Sequence, residues 1–193
     1  MTAAQRSTAD FKRELIGVIP QLRAFARGLC GRSELADDLV QETLLKAWAA
    51  RDRFEPGTSI RAWTFVILRN VYLSGLRRAR FQGDYDEVAA ERILSAPAEQ
   101  EAPLHLADLH RALMTLAPER REALLLIGAG GFSYEEAAAI AGCAVGTIKS
   151  RVGRARAQLA TMIDNGTVER RSKRDPVANA AIMAELQRAT RRR

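Results

Sequence analysis

Four cations and two hydroxyls fall within ten residues near the end of the chain: Thr147, Lys149, Ser150, Arg151, Arg154 and Arg156, with no acid among them. Such a set supplies hydrogen-bond donors and positive charge rather than a nucleophile and its base. The segment just before it, GFSYEEAAAIAG, is acidic and alanine-rich. At ~100° per residue, Val145, Ile148, Val152, Ala155 and Leu159 form one apolar stripe. Thr147, Ser150 and Arg154 lie opposite, flanked by Lys149 and Arg151, and Gly146 and Gly153 keep that face low. An arginine can take both acceptors of a guanine edge, and a serine or threonine can take a base or a phosphate. A slim polar helix of this kind fits a major groove. A solvated amphipathic hairpin within a helical bundle is the alternative that this segment alone leaves open.

The elements around this helix follow from local signals. Ser133 and Glu136 have the spacing of a capping box, so a helix is expected from there to about Ala141. GCA at 142–144 reads as a tight turn before the basic helix, giving a helix-turn-helix. Pro118 suits the first position of a preceding helix, which GAGG at 128–131 ends. This second unit is expected to begin near Leu106. Upstream, Phe11, Leu15, Val18, Leu22 and Phe25 mark a helix over 10–30 that Pro20 is expected to kink. A second helix follows the GRS break at 31–33. A third covers 60–80, after a loop marked by Pro56-Gly57. No strand pattern and no internal repeat is present.

Two further faces carry possible contacts. On the 36–48 helix, Val40, Leu44 and Ala47 form the expected buried stripe, while Leu45 lies opposite among Asp38, Gln41 and Glu42. An apolar residue ringed by acids suits docking of a basic protein surface, although a lone exposed leucine is also ordinary. On the 60–80 helix, Trp63, Phe65 and Tyr72 interleave with Arg61, Arg69, Asn70, Arg77 and Arg78. Rings among arginines suit unstacked bases; the alternative is that the rings are core, as expected for Phe65 and much of Trp63.

Charge is unevenly spread over the 193 residues, whose net charge is +7. Residues 61–80 hold five arginines and no acid, and residues 83–104 hold six acids against Arg92 alone. The latter, with Pro97 and Pro103, reads as a linker. Residues 166–193 carry eight basic and three acidic residues, a net of +5. Within them Asp175-Pro176 could start a short helix to about Thr190 whose apolar residues share no single face. Cys30 and Cys143 lack C-x-x-C spacing and are expected as buried thiols in a reducing compartment. His105 and His110 do not share a helix face, so no metal site and no cofactor is expected. No apolar run approaches the ~20 residues of a membrane span, and MTAAQRSTADFKREL lacks a signal core, so a cytoplasmic location is expected.

The segments DDLVQETLLKAW, SIRAWTFVILRN and FSYEEAAAIAGCAVGTIKSRVGRAR occur in that order, with the acidic segment before the third. Together they resemble a bacterial RNA polymerase sigma factor of the extracytoplasmic-function group of the sigma-70 superfamily, over about residues 10–164. AFARGLCG, EPGTSIRAW and GAGGFSYEEAAAIAGCAVGTIKSR resemble its alphaproteobacterial general-stress-response branch, often called EcfG. The resemblance implies an all-α chain of two small helical domains: a sigma-2-like domain over 1–82 and a sigma-4-like helix-turn-helix domain over 106–165. A flexible acidic linker over 83–105 would join them, and a basic tail over 166–193 would follow. It implies no catalysis but promoter-specific initiation with core polymerase, gripping the beta-prime clamp helices and the beta flap. Asp38, Gln41, Glu42 and Leu45 would contact core enzyme. Arg61, Trp63, Arg69 and Asn70 would serve the −10 element, and Thr147, Lys149, Ser150, Arg151 and Arg154 the −35 element. Gly153 stands where many relatives carry a larger residue, so the resemblance does not carry over one apolar base contact. An anti-sigma factor resembling NepR is the implied regulator. The rival readings are a sigma-like decoy for that anti-sigma factor and a stand-alone helix-turn-helix transcription factor.

Overall fold

In the computed structural model, residues 8–55, 57–82 and 104–164 are described, with the side chains of 79–82 and 104–108 excluded. Among them are seven α-helices and no strand: α1 Thr8–Cys30, α2 Ser33–Ala49, α3 Ile60–Gln82, α4 Leu104–Met114, α5 Pro118–Gly128, α6 Tyr134–Ala141 and α7 Val145–Asp164. The acidic segment over 83–103 and everything after Asp164, including the expected 176–190 helix, lie outside the described residues.

The first three helices pack on one another pairwise, α2 against both α1 and α3, and α1 against α3. Phe11, Leu15, Val18, Leu22, Phe25 and Leu29 of α1 are buried, at the three- and four-residue steps the sequence shows. The helix continues through Pro20, which is exposed. On α2 the buried set is Ala36, Leu39, Val40, Thr43 and Ala47, so the stripe includes Leu39 and Thr43, while Leu44 is half-buried. Thr43 can be buried because its hydroxyl donates to the Leu39 carbonyl at 2.7 Å, and Thr64 donates likewise to the Ile60 carbonyl at 2.8 Å. Each hydroxyl is satisfied within its own helix, so neither leaves an unpaired polar group in the core.

The second set is ordered by its caps. Pro118 opens α5 and needs no amide partner there. The Ser133 hydroxyl accepts from the Glu136 amide at 3.1 Å, and the Glu136 carboxylate accepts from the Ser133 amide at 2.8 Å. This capping box starts α6, and Gly142 ends it at φ +63, a left-handed conformation that glycine adopts without steric cost. α7 then packs its buried Ile148, Val152 and Ala155 against α5 and α6.

The two sets do not stand apart. α5 lies against α1 and α6 against α3, and the buried residues of both form one contiguous cluster. At its centre the Phe65 ring has Phe25 at 4.8 Å and Phe132, from the loop before α6, at 4.8 Å. Gly28 of α1 makes a close approach possible: a Cβ there would meet the Leu125 side chain of α5 at 2.7 Å.

Candidate functional site

The outer face of α7 is built as the helical angles require. Lys149, Ser150, Gly153 and Arg154 are exposed, and Thr147 and Arg151 are half-buried. Their orientation comes from Ile148, Val152 and Ala155, which pin the opposite side of α7 to the core. Lys149 carries its ammonium 5.8 Å from the Tyr134 ring centroid, so the first residue of α6 supports the second helix's cation. The Arg151 guanidinium turns back to within 3.9 Å of the Cys143 thiol in the turn. Nothing crowds Gly146 or Gly153. Among the described residues, neither Lys149 nor Arg154 has an acidic side chain within ion-pair distance. A flat face with unneutralised cations is what a polyanion requires.

The face of α2 is likewise open. Asp38 and Gln41 are exposed, Leu45 is 71% exposed, and Glu42 pairs with Lys46 at 2.8 Å. Leu45 does not stand alone. With Ile16 and Ile19 of α1, and Leu44 and Trp48 of α2, it lines an open groove of about 570 Å³ whose rim includes Lys12 and Gln41. The α1 side of this groove was not legible as a contact surface, because Ile16 and Ile19 sit beside the core stripe of α1.

The residues singled out on α3 are not equally available. Ser59 caps the helix, its hydroxyl accepting from the Ala62 amide at 3.2 Å, and so sets the direction of Arg61 and Trp63. Trp63 is half-buried, with its ring 5.1 Å from Phe54 and 6.2 Å from Phe11. Asn70 is exposed. Arg61 and Arg69 both reach the second set of helices. Arg61 donates to the Gly130 carbonyl at 3.1 Å and lies 4.3 Å from the Phe132 ring centroid. Arg69 donates through Nε to the Glu122 carboxylate at 2.6 Å, with side chains 20% and 10% exposed. Glu122 was missed as a partner because it stands in ERREALLLIG like any charged residue on a helix.

Burial pushes the Glu122 pKa above its ordinary value, and the Arg69 guanidinium only partly opposes that. Loss of water therefore outweighs the ion pair at this carboxylate. A folded pKa above the unfolded one means the folded chain binds the proton more tightly. The contribution is fully present below the unfolded value of ~4.3 and is lost as pH rises through the folded pKa. Relative to Glu122→Gln, the wild-type chain is expected to lose stability as pH rises above the ordinary carboxylate range and through the raised folded value, as measured by chemical denaturation. A stability difference that stays flat across that range would contradict this account of Glu122. Cys30 is also pushed up by burial, and its thiol donates to the Ala26 carbonyl at 2.9 Å. It and Cys143 are free thiols, and no helix among the described residues is long and apolar enough to cross a membrane.

Comparison with known proteins converges. The family model described as Sigma-70 region 2 matches residues 17–82, and that described as Sigma-70, region 4 matches residues 106–159. The chain is 47% identical over 156 residues to the ECF RNA polymerase sigma factor EcfG of Rhodopseudomonas palustris, covering 81% of this chain and 86% of that one. Among solved structures, it matches the sigma factor RpoE of Bartonella quintana, determined in complex with the anti-sigma factor NepR. The TM-score is 0.73 at 49% identity, over 84% of this chain and all of that one. It also matches CnrH, determined with the cytosolic domain of CnrY, with a TM-score of 0.60 at 28% identity over 82% of this chain and 90% of that one.

Proposed function

The chain belongs to the sigma-70 family of RNA polymerase sigma factors, in its extracytoplasmic-function group, and from that premise we propose how its surface divides the work. As a sigma factor it binds core RNA polymerase and directs promoter-specific initiation of transcription. In our reading, residues 1–82 dock on core enzyme and capture the −10 strand, and 106–165 read the −35 duplex. Asp38, Gln41, Glu42 and Leu45 form the docking face, extended onto α1 by the groove beside Ile16 and Ile19. Arg61, Trp63, Arg69 and Asn70 serve the unstacked −10 bases, whose capture compensates the few kcal/mol lost per unstacked step. Thr147, Lys149, Ser150, Arg151 and Arg154 contact the −35 element.

The role is recruitment rather than chemistry, carried out in the cytoplasm, and the promoters served are those of general stress-response genes. The likeness to a sigma factor solved with NepR supports an anti-sigma partner of that kind. The observation that carries the reading is the exposed, unneutralised face of α7. A decoy for an anti-sigma factor would have no use for free Lys149 and Arg154 on a slim helix.

Lys149 tests this face as a phosphate contact. Lys149→Ala is expected to weaken binding to all −35 duplexes by a similar factor and to lower the magnitude of the salt slope by about 1. The measurement is duplex affinity of holoenzyme against salt concentration, on cognate and altered −35 sequences. An unchanged slope and affinity would remove Lys149 from the interface.

A further inference from the structure

We propose that residues 166–193 of this same chain fold back onto the groove between α1 and α2, seating Ile182, Met183 and Leu186 beside Leu45 and Trp48, and so compete there with core enzyme. The competition rests on the reading of this groove given above; the seat itself does not. Among the described residues four large apolar side chains are exposed, and three of them, Ile16, Leu45 and Trp48, line this one groove. Covering such a surface is favourable for any segment of matching chemistry held nearby. Charge says which segment matches. α2 carries Glu34, Asp37, Asp38 and Glu42 against Lys46 alone, a net of −3, whereas residues 166–193 carry a net of +5. Val177 and Ala181 lie to another side, but Ile182, Met183 and Leu186 fall within an arc of about 100° on a helix. Such neighbouring anchors are what a helix needs to lie in an apolar groove. The acidic stretch 83–104 would set like charge against α2, and a second copy would bring the same acidic helix to it.

The chain is long enough to reach. α7 ends close to the C-terminal end of α1: the Thr115 hydroxyl donates to Met162 Sδ at 3.4 Å. Met114, the neighbour of Thr115, lies against Gly31, directly after α1, where a Cβ would meet its Sδ at 2.7 Å. From Gly31 back to Ile16 is about 15 residues of α1, or roughly 23 Å. The 12 residues between Asp164 and Val177 can span up to about 40 Å. No described helix has to move for the segment to arrive. Lys12, the cation among the residues lining the groove, finds a carboxylate in Glu185, next to Leu186. A tethered segment acts at an effective concentration on the order of millimolar, so a modest apolar contact holds it, while a partner with a larger interface displaces it. Apparent affinity for that partner is reduced by the fraction of chains whose groove is free.

Photo-cross-linking in the full chain tests the seat. Lys12 is exposed on the groove rim and is not among the residues assigned to core enzyme, so p-benzoylphenylalanine in its place puts the probe where the segment would lie. Illumination of the free chain at high dilution is expected to give an intramolecular product, with the linked peptide inside 177–190 by mass spectrometry. Ile182→Asp with Leu186→Asp should remove that product. Neither substitution touches the described core, so the thermal melt of the chain checks that folding is intact. The same double variant, with Lys12 restored, should bind core polymerase about fivefold more tightly than wild type. A product joining two chains would overturn the proposal in favour of a second copy. Linkage to 83–103, no linkage to 177–190, or an undiminished product from the double variant would overturn it as well. Core affinity unchanged in the double variant, although core polymerase suppresses the product, would overturn the competition. An intramolecular product of the expected kind that excess core polymerase leaves undiminished would support the seat and overturn the assignment of this groove to core enzyme.

Discussion

Leu45→Arg is expected to abolish co-purification with core polymerase while leaving the chain folded. Leu45 projects from α2 at 71% exposure, so nothing in the chain's own core depends on it. It forms one wall of the open apolar groove lined by Ile16, Ile19, Leu44 and Trp48. A central apolar anchor at an interface contributes on the order of 2–4 kcal/mol, and a buried unpaired guanidinium adds a penalty of its own. Affinity for core enzyme should therefore fall by a factor of roughly 30 to 1,000. The helical circular dichroism spectrum and the thermal melt should be those of the wild type. Normal binding to core by a folded Leu45→Arg chain would remove this face from the interface.

Arg154→Ala should act on a different step. Arg154 stands at the middle of the exposed face of α7, directly opposite the buried Val152 and Ala155 side. Its guanidinium is free to form a bidentate contact with a base, which gives ~1–3 kcal/mol of discrimination. Loss of it should relax preference at one −35 position by about 5- to 150-fold and leave the other positions strict. Binding by holoenzyme to duplexes varied one base at a time measures this. Arg151 is a poorer candidate for the same base contact, because its guanidinium turns onto Cys143. Uniform weakening across all duplexes would make Arg154 a phosphate contact instead.

The parts of this structure that local rules govern were legible in the sequence. Ser133, Glu136 and Gly142 fix the ends of α6 through bonds spanning three to five residues, and spacing alone reveals them. The outer face of α7 was legible for a related reason: a regular helix with one apolar stripe leaves no freedom about which side chains point away. The stripe of α2 was read less well. Thr43 is buried in place of Leu44 because its hydroxyl is satisfied by its own helix, so residue type misled.

What lay beyond the sequence was the meeting of distant partners. Arg69 and Glu122 are 53 residues apart, and each looks like an ordinary charged residue on its own helix. Phe132 follows a glycine pair and reads as a loop residue, yet it is buried against Phe65. The sequence suggested two units and an acidic connector between them. That the units share one core depends on the meeting of distant residues, with Leu125 packed over the bare backbone of Gly28 as one example.

The central claim is that this chain turns core polymerase into a promoter-specific enzyme through its two DNA-contacting halves. Run-off transcription with purified core polymerase tests it most directly, on a general stress-response promoter and on versions with the −35 or the −10 element scrambled. The expected result is a transcript of one defined start that requires the added chain and is lost when either element is scrambled. A transcript insensitive to both elements, or none from any stress promoter with a chain that binds core enzyme, would contradict it.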